Sequence, residues 1–354
     1  MRTKASIYAI TCMLLLVGGF LLTFYFAWQS GIEETVWSIV GYLLAFVFAP
    51  TLHELGHIVF AKTAKMGVMY AKFFCFKVYL KNGKKRLAFA SPFVPEETQV
   101  LPKTGGDMKE RAERYTIGGL ILGGLFLLLI LLPAVVLSAF GSYNGILWGL
   151  VPYTAYLFLL NALPLEYRTG KTDMLVYLGI KKGYAAEKNM LAAMEIQGQL
   201  YEGKSFSLIE ESLYYDLPQL PEDEPLFAVM LDLRYRYHLE KGELKKAADC
   251  LNRLASAQEY LPMKEVRKLC AELVYMHSLN GDFERAEECG SYCKTYLAGE
   301  TVSAKRILAA YSAAFGKLDA VPTLKAQAEE ALKTERIKGI VKFEEILLSR
   351  LPSA

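Results

Sequence analysis

Three stretches without a single charged residue set the limits on what this chain can fold into: residues 6–28, 35–52 and 115–165. A helix needs about 20 apolar residues to cross the hydrocarbon core of a bilayer. The first stretch suffices for one crossing. It exceeds the roughly 7 to 15 residues of a signal-peptide apolar core and no small-residue cleavage site follows it, so it reads as a retained transmembrane helix. The second follows a short acidic connection with Glu33 and Glu34 and extends, as a span, from about Val36 to Ala61. The third is too long for one crossing, and the turn-rich segment 141–145 (Gly-Ser-Tyr-Asn-Gly) divides it into spans near 116–140 and 146–163.

Composition then separates two unlike parts. A chain of 354 residues with 53% hydrophobic side chains is too apolar for an ordinary soluble domain, and 22% charge is too much for a chain buried wholly in lipid. Hydropathy falls and charge rises after about Lys182, which predicts a membrane domain over 1–182 and a second domain over 183–354. The fold class expected is an all-α membrane protein of about four transmembrane helices, with a β-hairpin after the second, joined to a cytoplasmic α-solenoid. A net charge of +3 excludes a nucleic-acid binder driven by bulk electrostatics. Six cysteines without a CxxC pair predict reduced thiols, and Cys289 and Cys293, four apart, read as core packing rather than as ligands.

Loop charges orient the spans. Arg2 and Lys4 precede the first, twelve basic residues lie in 62–114, and Arg168, Lys171, Lys181 and Lys182 follow the fourth, while the other two loops hold none. The positive-inside rule places both termini and segment 62–114 in the cytoplasm of a multi-pass protein of the cell membrane. Within that segment, 68–93 is rich in β-branched and aromatic residues and contains Asn82-Gly83, which predicts a β-hairpin turning there. Open strands cannot face lipid, so it must lie at the surface or against protein; it is read equally as a plain surface hairpin or as an edge that receives an extended substrate.

The second span ends in Thr51-Leu52-His53-Glu54-Leu55-Gly56-His57, an H-E-x-x-H pattern that takes two of the chain's four histidines. On a helix His53 and His57 share one face, where two imidazoles can bind one metal, and Glu54 beside them is a candidate general base. A glutamate at membrane depth is costly and is rarely kept without a task. Catalytic zinc takes three protein ligands and leaves one position open, so a third must come from elsewhere. The orientation brings the end of the fourth span to the same depth, and with it two carboxylates, Glu166 and Asp173. Gly118-Gly119-Leu120-Ile121-Leu122-Gly123-Gly124 in the third span has the small-xxx-small spacing of close helix packing.

HELGH on an early span, a hairpin after it, a glycine-rich third span and Asn161-Ala162-Leu163-Pro164 followed by an aspartate resemble the site-2 protease (M50-type) family of intramembrane zinc metalloproteases over roughly residues 36–180. That family's late motif reads N-x-x-P-x-x-x-x-D-G. The resemblance implies Zn²⁺ held by His53, His57 and Asp173, Glu54 as the base that takes a proton from water and passes it to the leaving amine, and Asn161 on the substrate backbone. It implies as substrate a transmembrane segment of a membrane-anchored protein or peptide that unwinds locally before cleavage. The chain departs from the pattern in three ways. Nine positions, not five, separate Pro164 from Asp173; Met174 stands where the family has glycine; and the third span lacks the usual Gly-Pro and later asparagine. Glu166 therefore stays open as the third ligand.

In the second half, glycines recur at Gly203, Gly242, Gly281 and Gly316, at intervals of 39, 39 and 35, each between two helical patterns. Helix, glycine turn, helix at a nearly fixed period predicts an α-solenoid resembling tetratricopeptide repeats, with an irregular helical bundle as the alternative. Such a stack takes a protein partner or a peptide on its concave face. His238 and His277 read as packing residues. Beside the enzyme stand two other functions: a catalytically inactive relative acting as a membrane-bound scaffold or substrate binder, and, more weakly, a metal-binding or transport role. An intact Glu54 favours the enzyme over both.

Overall fold

A computed structural model describes residues 2–81, 84–91, 97–103, 105–167 and 170–352. The chain divides into two compact units, Met1–Tyr184 and Ala185–Ala354.

The first unit is built on four long helices, α1 (Arg2–Ser30), α2 (Ile32–Thr63), α3 (Met108–Ala139) and α4 (Gly145–Ala162). All four are long and apolar enough to cross a membrane. Large apolar side chains such as Leu14, Leu21, Leu43 and Leu129 stand exposed on them, as lipid-facing residues would. Helix α2 is the centre of the unit and packs against α1, α3 and α4. Glycine sets two of these approaches. On the α4 side a Cβ at Gly41 would lie 2.5 Å from the Ile146 carbonyl oxygen, and one at Gly149 would lie 2.4 Å from that of Ser38. On the α3 side Gly56 and Gly118 are mutually in contact, a Cβ on Gly56 falling 2.3 Å from the Gly118 carbonyl oxygen. With no hydrophobic force between helices in lipid, such backbone contact is what holds a bundle together.

Between α2 and α3 the chain forms a four-stranded antiparallel sheet of order β3-β2-β1-β4, made of β1 (Gly67–Phe73), β2 (Phe76–Lys81), β3 (Lys84–Phe89) and β4 (Glu97–Leu101). The sequence predicts a single hairpin over 68–93; that segment supplies three strands, and a fourth returns to β1. The first reversal occurs at Phe74-Cys75, between the paired Phe73 and Phe76, with Phe74 at φ 44°. Asn82-Gly83 lies outside the described residues, and β2 and β3 pair as far as Lys81 and Lys84 on either side of it. After α4 come a two-stranded hairpin, β5 (Glu166–Tyr167) with β6 (Gly170–Lys171), and the short helix α5 (Asp173–Lys182).

The second unit is helical throughout: α6 (Ala185–Glu202), α7 (Ser212–Tyr215), α8 (Pro225–Lys241), α9 (Leu244–Ser256), α10 (Met263–Asn280), α11 (Phe283–Tyr292), α12 (Lys294–Leu297), α13 (Val302–Ala314), α14 (Ala320–Leu332) and α15 (Lys338–Ser349). Helices pair in sequence, α8 with α9, α10 with α11 and α13 with α14. Gly203, Gly242, Gly281 and Gly316 all follow helices in the left-handed region, at φ 107°, 77°, 72° and 73°, where a Cβ would be strained. His238 and His277 occupy equivalent places before two of these turns. His238 Nδ1 lies 2.6 Å from Glu243 and His277 Nδ1 lies 3.5 Å from Asp282, the residue after the glycine in each case. The last helix returns to the first: α15 packs on α6, where a Cβ at Gly339 would lie 2.1 Å from the Lys204 carbonyl oxygen.

Candidate metal centre

His53 and His57 project from one face of α2 in its last third, buried, with ring centroids 5.0 Å apart. Asp173 opens α5, where Thr172 caps the helix by accepting the Leu175 amide. Its Oδ2 lies 2.9 Å from His53 Nε2 and 3.3 Å from His57 Nε2. Among the described residues these three form the one group of His, Cys, Asp or Glu whose ligand atoms gather within 4.8 Å of one another. Glu166 is not in it: it sits in β5, opposite Lys171. Asn161 lies in the last turn of α4, and its side-chain amide donates to the Leu157 carbonyl at 3.3 Å.

The long spacing from Pro164 to Asp173 has a structural explanation. The extra residues leave as the β5–β6 hairpin, whose base is closed by Thr172: its hydroxyl donates to the Leu163 carbonyl at 2.7 Å and accepts the Leu165 amide at 3.1 Å. Asp173 therefore starts α5 close to where α4 ended.

The donor set suits a cation. The Tyr115 carbonyl can only accept, so His57 Nδ1 donates to it at 3.0 Å and Nε2 is the nitrogen that faces Asp173. Asp173 Oδ2 is buried and has no well-directed hydrogen bond despite two nitrogens nearby. Oδ2 and the two Nε2 atoms, 2.9 and 3.3 Å from it, need positive charge between them, a proton or a metal ion. Two imidazoles and one carboxylate are also a ligand set that zinc accepts.

Helix α3 leaves room for that charge because Gly119 faces the centre. A Cβ there would lie 2.4 Å from His57 Nε2 and 2.8 Å from His53 Cε1. The glycine run, read from the sequence as helix packing, thus also borders the imidazoles of His53 and His57.

Glu54, beside His53 on α2, is buried, and its Oε2 accepts a 2.6 Å hydrogen bond from the Thr98 hydroxyl on β4. The Thr98 carbonyl in turn accepts the Tyr115 hydroxyl at 2.8 Å. No protein-family model, curated protein or solved structure matches the chain. The centre is consequently read from its own atoms. Sequence reasoning found four of its residues, His53, Glu54, His57 and Asp173, and passed over Thr98 and Tyr115. Neither hydroxyl belongs to a recognisable spacing: Thr98 reaches the site because β4 packs on α2, and Tyr115 because α3 does.

Proposed function

We propose that this chain is a zinc-dependent endopeptidase of the site-2 protease type, which cleaves transmembrane segments of membrane-anchored proteins or peptides near the cytoplasmic face. The observation that carries the reading is the convergence of Asp173 on His53 and His57, beside Glu54, in a bundle of candidate membrane spans. His53, His57 and Asp173 would hold the metal. Zn²⁺ there would polarise the scissile carbonyl and bring the pKa of water toward neutrality. Glu54 accepts the proton of the attacking water and delivers it to the leaving amine. His57 keeps its orientation through the Tyr115 carbonyl, and Asn161 hydrogen-bonds the substrate backbone. Loop charges favour four crossings of the cell membrane with both termini in the cytoplasm. The second unit is read as a tetratricopeptide-like array that selects substrate or binds a protein partner; paired helices with left-handed glycine turns support this.

The test is direct. Purified protein should contain about one zinc per chain, and Glu54→Gln should abolish cleavage of a single-span membrane peptide while the metal stays bound. Continued cleavage would sink the mechanism. Full zinc occupancy with no cleavage by the unaltered chain would favour an inactive, substrate-binding relative. Asp173→Ala should release zinc, whereas Glu166→Ala should not.

A further inference from the structure

We propose that Thr98 is a positioning residue for Glu54, and that Tyr115 fixes Thr98. The inference rests on the endopeptidase reading above. A glutamate has three rotatable bonds, and a general base works only if one oxygen is held within hydrogen-bond reach of the proton it takes. Glu54 and Thr98 are 9% and 8% exposed, so the 2.6 Å bond between them is shielded from exchange with water. The single proton of the threonine hydroxyl goes to Oε2, which fixes the rotation of the carboxylate.

Thr98 is itself held from two sides. It pairs with Ala71 of β1, and the alternation of β4 turns its side chain inward while Glu97 and Gln99 face out. Its carbonyl accepts the Tyr115 hydroxyl at 2.8 Å, and the carbonyl of that same Tyr115 accepts from His57 Nδ1 at 3.0 Å. The path from Glu54 through Thr98 and Tyr115 to His57 therefore begins and ends on α2. One residue of β4 and one of α3 register the base and a metal ligand against each other. A bond that only satisfied a buried carboxylate would not need its donor tied to the ligand on the far side.

The test uses the full chain in lipid nanodiscs, with a single-span peptide carrying a fluorophore and quencher across a helix-breaking glycine pair. Thr98→Val, isosteric but without the hydroxyl, should lower kcat by about ten- to a hundredfold with KM nearly unchanged and zinc content intact. Thr98→Ser should restore most of the rate, and Tyr115→Phe should cost less than Thr98→Val. A readout independent of turnover is the infrared carboxylate stretch assigned to Glu54 by its loss in Glu54→Gln: it should move in Thr98→Val and stay in Thr98→Ser. An unaltered kcat in Thr98→Val, no rescue by serine, or an unmoved band would overturn the proposal. If instead the unaltered chain cuts no faster than Glu54→Gln, the endopeptidase reading fails first and the positioning role falls with it.

Discussion

At the residue scale the centre is shaped as much by an absent side chain as by its ligands. The Cβ that Gly119→Ala would add has no place beside His57 Nε2, 2.4 Å away, and the neighbouring Gly118 is already against Gly56, so α3 cannot back off without losing its packing. Gly119→Ala should therefore displace an imidazole and weaken zinc binding by about ten- to a hundredfold, the range seen when ligand orientation is lost. Gly123→Ala is the control: its Cβ would stand at an ordinary 3.7 Å from His53 Nδ1, and zinc should stay. Metal analysis of the two purified variants decides the matter, and equal retention would show that α3 yields. The grouping of His53, His57 and Asp173 was legible in the sequence because a helix converts a spacing of four into one face, and because the end of the fourth apolar run was expected beside the motif. Thr98 was not legible. It lies 44 residues from Glu54 and meets it through a hydroxyl that marks no motif.

At the scale of elements, one side chain locks the helix that carries the motif. Arg111, buried in the first turn of α3, donates Nε to the Ala64 carbonyl at 2.9 Å and Nη2 to the Lys65 carbonyl at 3.3 Å, capping the end of α2. Its Nη1 reaches the carbonyls of Lys103 and Gly105 in the connection from the sheet. A cation at a helix C-terminus is favoured by the helix dipole, and here it satisfies carbonyls left over at the last turn. Arg111→Ala should destabilise the first unit by about 2–4 kcal/mol, since several buried acceptors lose their donor together. Thermal unfolding in detergent measures this; a shift no larger than that of a surface substitution would refute it. Thr172→Val tests the second lock. It removes the α5 cap and the closure of the β5–β6 hairpin, and should cost about 1–2 kcal/mol together with part of the zinc occupancy. The four long helices were readable because crossing a membrane demands length and apolarity, but α3 begins at Met108, well before the uncharged run that marked it. The strand count was not, because the reversal at Phe74 uses a residue type that carries no turn signature.

At the scale of the whole molecule, each unit has its own core, and the second is drawn together by a buried ion network. Arg306 on α13 is fully buried, with Nη2 at 2.9 Å from Glu272 on α10 and Nε at 2.7 Å from Glu344 on α15. Tyr235 on α8 donates to Glu272 at 2.8 Å, and the guanidinium lies 4.3 Å from the Tyr275 ring centroid. Glycine periodicity foretold the paired helices of this unit. It was silent on α15, whose return to α6 depends on the close approach at Gly339 and on Glu344 meeting a charge 38 residues earlier. Since the core of this unit runs from Ala193 to Leu351 within its own bounds, a fragment spanning 185–354 should fold cooperatively by itself. In that fragment Arg306→Met should cost about 3–5 kcal/mol, because two buried carboxylates then lose their counter-charge. Adding Glu272→Leu and Glu344→Leu to Arg306→Met should recover most of the loss, since a desolvated ion network contributes little net stability beyond what apolar packing of equal volume supplies. Urea unfolding of the three fragments gives the numbers. A triple variant as unstable as Arg306→Met would mean that Tyr235 and the helices around it need the charges themselves, and a fragment without a cooperative transition would mean that this unit does not fold independently.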